Sequence, residues 1–154
     1  MPGTLKGRFH PKNPNKYKGS MLIEFRSSWE LAFMNYLDNN DEVIQWSSEE
    51  KAIWYYDPVS KKNRRYFPDF IIKYRRSDGI VVEEVVEIKP QRQVDGPPTN
   101  PKRKTQAWAK SCMTYAINQA KWKAAREWCE DRGMNFRLLT ENDVPQWKGW
   151  QNRS

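Results

Sequence analysis

Two alternating runs separated by Ser77-Asp78-Gly79 constrain this chain most: Arg65 to Arg75 reads as one strand, and Ile80 to Lys89 as its β-rich return. Ser-Asp-Gly is hairpin chemistry, because glycine tolerates the positive φ of a tight turn and aspartate bonds to the backbone just ahead of it. An isolated hairpin is marginal in water, so these two strands must be packed into a larger layered domain. The flanking sequence supplies the layers. Ser27-Ser28-Trp29-Glu30 opens an amphipathic helix with Trp29, Phe33 and Leu37 at four-residue spacing and Ala32 and Tyr36 beside them, ending near Asn39-Asn40. Val43 to Trp46 is a short extended run, and Lys51 to Tyr56 a further strand closed by the turn signal Asp57-Pro58. Strands in this succession predict a meander. Pro90 to Pro101 carries four prolines and a glycine and predicts a loop. Lys104 to Arg132 reads as one long helix, broken at most once and stopped by Gly133, with Met113, Ile117, Ala120, Ala124 and Trp128 as its core stripe. Asn135 to Leu139 is a last strand, and Thr140 to Asp143 starts a short helix with a capping pattern. The order α, β, β, β, α, β predicts an α/β fold, a mixed central sheet flanked by helices. Residues 1–22, rich in Pro, Gly, Asn and Lys, read as a basic extended arm without regular structure, residues 23–146 as the domain, and residues 147–154 as a tail.

Composition excludes several kinds of chemistry. The chain has 154 residues, enough for one compact core, and its mean hydropathy of -0.99 is offset by 14% aromatics that include eight tryptophans. No stretch approaches the roughly 20 apolar residues of a membrane span, and the start has no apolar signal-peptide centre, so a cytosolic protein without a membrane partner is expected. Cys112 and Cys129 form no CxxC pair and His10 is the one histidine, which removes Cys/His zinc sites and His-based acid-base catalysis. Reactive groups must therefore be carboxylates and lysines. The net charge is +8, and it is lopsided: residues 1–23 and residues 96–126 hold twelve cations and no acid, leaving the rest of the chain net acidic. Basic segments of this kind suit a polyanion, most simply a nucleic acid backbone, although lysines also serve as plain solubilising groups.

In Val85-Val86-Glu87-Ile88-Lys89 the period of two puts Glu87 and Lys89 on one face and Ile88 on the other. Asp69, in Tyr66-Phe67-Pro68-Asp69-Phe70, lies on the partner strand, where cross-strand pairing can bring it beside Glu87. Aspartate plus glutamate is a hard oxygen set suited to Mg²⁺ or Mn²⁺. A lysine beside such an ion can orient a water or stabilise negative charge developing on a phosphodiester.

Asp69 followed by Glu87-Ile88-Lys89, with Glu30 on the first helix, resembles the PD-(D/E)XK nuclease superfamily. More narrowly, Tyr17-Lys18-Gly19, Arg26-Ser27-Ser28-Trp29-Glu30, Trp46-Ser47-Ser48-Glu49-Glu50, Arg65-Tyr66-Phe67-Pro68-Asp69-Phe70, Glu87-Ile88-Lys89-Pro90 and Asn118-Gln119-Ala120-Lys121-Trp122 are similar to the head-completion nucleases of large tailed phages, relatives of TnsA-like transposon endonucleases. The resemblance covers roughly residues 10–145. It implies a restriction-endonuclease-like αβββαβ core and a Mg²⁺-dependent DNA endonuclease, with Mn²⁺ able to substitute, acting in phage head completion around or after genome packaging. It also implies Asp69 and Glu87 as metal ligands, the Ile88 carbonyl as a backbone ligand, Lys89 as the catalytic lysine and Glu30 as a helix-borne acid. Double-stranded or branched DNA and phage capsid or portal proteins are the implied partners, in the host cytoplasm during assembly or in the virion, as monomer or dimer. Lys16, Lys18, Lys102, Arg103, Lys104, Lys121 and Lys123 are the candidate DNA contacts.

Each residue also has a plainer reading. Ser27 to Glu30 is an S-x-x-E capping box, Glu87 and Lys89 could be a solvated ion pair worth about 0.2 to 1 kcal/mol, and Asp69 after Pro68 could be a turn residue. Glu49 and Glu50 read as surface acids, Glu83 as solvent-facing, and Trp122 as core. The competing function is a noncatalytic DNA-binding or virion assembly protein that keeps the fold.

Overall fold

A computed structural model describes residues 5–144. The chain order is β1 (Gly7–Phe9), a 3-10 turn (Pro14–Lys16), β2 (Ile23–Phe25), α1 (Ser28–Asn39), β3 (Val43–Ser48), β4 (Ile53–Asp57), β5 (Lys62–Tyr66), β6 (Phe70–Arg75), β7 (Val81–Ile88), α2 (Gln91–Asp95), α3 (Gln106–Glu130) and β8 (Asn135–Leu139). Four of these strands form the central sheet in the order β3-β6-β7-β8. The first three pair antiparallel and β8 joins β7 parallel, with α3 as the crossover. The fold is the expected mixed sheet of a restriction-endonuclease-like core. The hairpin forms at Gly79, whose φ of 86° only glycine adopts freely, and pairs Phe70 with Val86 at its far end.

Both faces of β7 are covered, so Glu84 to Ile88 are all buried. On one side Ala32, Phe33 and Leu37 of α1 share a core with Phe70, Ile72, Val86 and Ile88. On the other, α3 packs over β7 and β8. α1 begins at Ser27, whose Oγ accepts the Glu30 N–H at 3.1 Å and satisfies one of the orphan donors of the first turn. α3 runs unbroken for 25 residues and closes around Gly133 (φ 69°), with the Met134 N–H reaching back to the Cys129 carbonyl at 2.8 Å.

Several expectations are corrected. The single strand expected over Arg65 to Arg75 is two: Pro68 has no N–H for a ladder, and on either side of it β5 and β6 belong to different sheets. β4 therefore pairs with β5 in a separate two-stranded ribbon and takes no part in the meander. The stripe of α3 is rotated by one position, to Asn118, Trp122, Ala125 and Cys129, with Ile117, Ala120, Ala124 and Trp128 half-buried beside it and Met113 exposed. The proline-rich loop holds the short helix α2. At the end of the domain, Asp143 caps the Thr140 N–H at 2.8 Å as its spacing suggests, whereas the proposed tail 147–154 lies outside the described residues.

The segment read as an arm is packed. β1 pairs with β2, Phe9 and Tyr17 are buried in the main core, and both rings meet Trp46 edge-on. Asp38, at the end of α1 and 1% exposed, accepts the backbone N–H groups of Lys12 at 2.8 Å and Asn13 at 3.0 Å. These are charge-assisted bonds in a desolvated place, so Asp38→Ala orphans two donors and costs about 2–4 kcal/mol in urea unfolding. Loss below about 0.5 kcal/mol would mean that the segment is held by its aromatic rings alone.

Candidate active site

Asp69, expected on the strand itself, stands in the bend after Pro68 and just before β6, with its side chain against the end of β7. The Glu87 carboxylate bonds the Asp69 backbone, and the Asp69 carboxylate bonds the backbone of Ile88, next to Glu87. Glu87 Oε1 accepts the Asp69 N–H at 3.0 Å, and Asp69 Oδ2 accepts the Ile88 N–H at 2.8 Å. Those two bonds hold Asp69 and Glu87 side by side. Glu87 is 4% exposed and Asp69 half-buried. Burial pushes both proton affinities up; for Glu87 the repulsion of Asp69 adds to it, while Lys89 pulls both back down. Lys89 follows β7 directly, anchored by its N–H to the Leu139 carbonyl at 2.9 Å. The alternation expected from sequence thus holds: Glu87 and Lys89 act on the same space and Ile88 packs under α1.

Glu30 makes a contact at the helix start and also stands near Asp69. Its Oε1 accepts the Arg26 N–H at 3.3 Å, a capping contact one residue beyond the helix cap. It also lies near enough to Asp69 to feel its charge, and burial, aided by that repulsion, pushes its pKa up to about 7. Glu49, read as a surface acid, belongs to the rim of the same site. Its backbone has φ 51°, rare for a residue with a Cβ, its N–H donates to the Asp69 carbonyl at 3.2 Å, and its carboxylate pairs with Arg26 at 2.7 Å. Among the described residues no three His, Cys, Asp or Glu side chains converge tightly enough to hold an ion unaided.

Lys121, grouped from sequence with outer DNA contacts, is inside. Its ammonium lies 5.7 Å from the Tyr55 ring centroid and 5.6 Å from that of Tyr66. Burial lowers its pKa and the charge of Lys89 lowers it further, while Glu87, Asp57 and Asp69 raise it. The Tyr66 hydroxyl is buried beside Glu87 without closing a well-formed hydrogen bond to it. Sequence reading missed Tyr66, and the one signal was its place three residues before Asp69. Lys16 is taken up elsewhere: its Nζ donates to the carbonyls of Asp38 at 3.1 Å and Asn40 at 2.8 Å, closing the end of α1. Lys18, Lys102, Arg103, Lys104 and Lys123 are exposed. Trp122, 1% exposed, is core.

A mixed sheet with Pro-Asp leading into one strand and Glu-x-Lys closing the next marks the PD-(D/E)XK type of nuclease. The family model for the N-terminal domain of TnsA-like endonucleases matches residues 40–141, and the chain belongs to that family. It is 41% identical over 146 residues to the head completion nuclease of Enterobacteria phage T4, an alignment covering 92% of this chain and 94% of that protein. The family resemblance read from the motifs is borne out. Among the described residues no helix is long and apolar enough to cross a membrane.

Proposed function

We propose that this protein is a divalent-metal-dependent DNA endonuclease that acts in phage head completion, around or after genome packaging. The observation that carries the chemistry is the pair of carboxylates, Asp69 and Glu87, anchored side by side on backbone N–H groups near Lys89. Two carboxylates kept side by side in a desolvated place repel each other and favour any cation that neutralises both. Hard oxygen donors of this number fit Mg²⁺, or Mn²⁺, which keeps waters and takes the rest of its shell from a substrate phosphate. The Ile88 carbonyl is the candidate backbone ligand and Glu30 the candidate carboxylate for a bound water. Such an ion supplies Lewis-acid polarisation of the phosphodiester and acidifies the attacking water.

The protein's own groups do the rest. Asp69 and Glu87 are oriented by backbone N–H groups, so neither has to reorganise when substrate arrives. Lys89 orients the attacking water and offers its charge to the phosphoryl oxygens as they become more negative. Lys121, beside Tyr55 and Tyr66, adds a second positive charge to that field. Lys18, Lys102, Arg103, Lys104 and Lys123 grip phosphates farther along, which positions DNA without reading its sequence. Capsid or portal proteins are the proposed partners, and the host cytoplasm during assembly the proposed place of action, which the name of the T4 relative supports.

Supercoiled plasmid incubated with Mg²⁺ or Mn²⁺ is expected to be nicked or cut, and excess EDTA to stop the reaction completely. Absence of metal-dependent cleavage on plasmid, linear and branched DNA alike would leave a noncatalytic DNA-binding or assembly role.

A further inference from the structure

The β4–β5 ribbon has one face buried and one bare. Ile53, Tyr55 and Tyr66 pack against Ala125 of α3. On the opposite face Trp54 is 64% exposed and Tyr56 56%, and Phe67, the next residue after β5, is 41% exposed. The register pairs Trp54 with Arg65 and Tyr56 with Asn63, so two rings, a guanidinium and an amide share one surface. The Arg65 guanidinium lies 5.5 Å from the Phe67 ring centroid. Rings this large are rarely left in water together without a partner.

Charge indicates which partner. Residues 51–67 carry five cations and one acid; Arg65 stands on the outer face with the rings, whereas Arg64 lies on the other, paired at 3.3 Å with the buried Asp57. An unpaired nucleic acid strand offers π faces and phosphates in alternation, which exposed rings beside a guanidinium on a net cationic ribbon match. Duplex DNA does not offer those faces, because its bases are already stacked on each other. The platform also ends at the site: Phe67 stands two residues before Asp69.

We propose that the outer face of this ribbon is a stacking platform for unpaired bases, which makes the substrate duplex DNA with a single-stranded end, flap or gap next to the cut. This rests on the nuclease reading above. Trp54 and Tyr56 would stack successive bases, Arg65 would hold the backbone between them, and the strand would then pass over Phe67 toward Asp69.

The test is binding in EDTA, where no cleavage is needed, using a fluorescein-labelled duplex with an unpaired overhang and the same duplex blunt. The unmodified protein is expected to prefer the overhang. Trp54→Ala and Tyr56→Ala should each weaken overhang binding roughly tenfold and leave blunt binding nearly unchanged, and Trp54→Phe, which keeps a π face, should restore most of the loss. A far-ultraviolet dichroism spectrum and urea midpoint matching the unmodified protein would show that the fold is intact. No overhang preference, or equal loss on both DNAs, overturns the proposal. Unchanged binding by both variants also overturns it and assigns the face to a protein partner. Overhang preference without metal-dependent cleavage would sink the enzymatic reading and leave the platform standing.

Discussion

Asp69→Asn should abolish DNA cleavage and at the same time raise the melting temperature of the metal-free protein at pH 8. Asparagine keeps an oxygen that can accept the Ile88 N–H, so the local backbone survives the change. What disappears is a charge held close to Glu87 in a desolvated place. The folded-state proton affinities of Asp69 and Glu87 are both raised above their ordinary 3.8 and 4.5. A raised value means that these groups favour the fold while protonated: their contribution is fully present below about pH 4 and lost as pH rises through the folded values. Glu30 adds to the same loss between 4.5 and about 7. Metal-free protein should therefore weaken from acid toward pH 8. Asp69→Asn removes part of that strain, a gain of order 1 kcal/mol or about 2–4 °C in melting temperature, and the gain should vanish near pH 4. Losing a metal ligand removes several kcal/mol of transition-state stabilisation, roughly a thousandfold or more in nicking rate. Calorimetry in EDTA across pH and a plasmid nicking assay read the two effects. A variant that loses activity and also melts lower at pH 8 would make Asp69 a structural carboxylate.

That trade of stability for function explains which parts of this molecule are legible in its sequence. The period of two in β7 is enforced by a core on both sides, so Glu87, Ile88 and Lys89 take the faces that alternation assigns. Ser27 and Glu30 write a local capping signal that the backbone obeys, and the same short helix turn delivers Glu30 to Asp69. The break at Pro68 was equally local, yet the alternating pattern on either side of it masked the change of sheet. β1 and the 3-10 turn were hidden because no apolar periodicity marks them; Asp38, distant in sequence, holds that segment by its carboxylate. The α3 stripe moved by one position because Trp122 and Asn118 bury in preference to Met113, a choice made by the facing surface. Lys121 reads from sequence as a DNA contact, since its setting is built from Tyr55 and Tyr66 of a ribbon that only tertiary packing brings to α3. Charge arithmetic is coarse in the same way: a net acidic middle averages the candidate site carboxylates with the basic ribbon of residues 51–67.

Lys89→Met is expected to shift stability in the opposite direction from Asp69→Asn while also removing activity. Methionine is near lysine in length and leaves the Lys89 N–H on the Leu139 carbonyl, so the strand end is kept. The cation that offsets Asp69 and Glu87 is gone, and their proton affinities rise further. Metal-free protein should then melt lower at pH 8 than the unmodified chain, because breaking a desolvated charge set by deleting one sign leaves the other uncompensated. Cleavage should fall about 100- to 1000-fold, the usual cost of deleting one preorganised donor to a developing anion. Overhang and duplex binding should stay close to normal, since the exposed lysines and the ribbon carry them. Lys121→Met provides the internal scale: its ammonium lies beside two rings and within electrostatic reach of Glu87 and Asp69, so its deletion should cost only roughly tenfold in rate. Single-turnover nicking with saturating protein separates these steps from binding. Equal losses for Lys121→Met and Lys89→Met would mean that the α3 lysine shares the catalytic role, and a Lys89→Met protein that cuts at the normal rate would remove Lys89 from the mechanism.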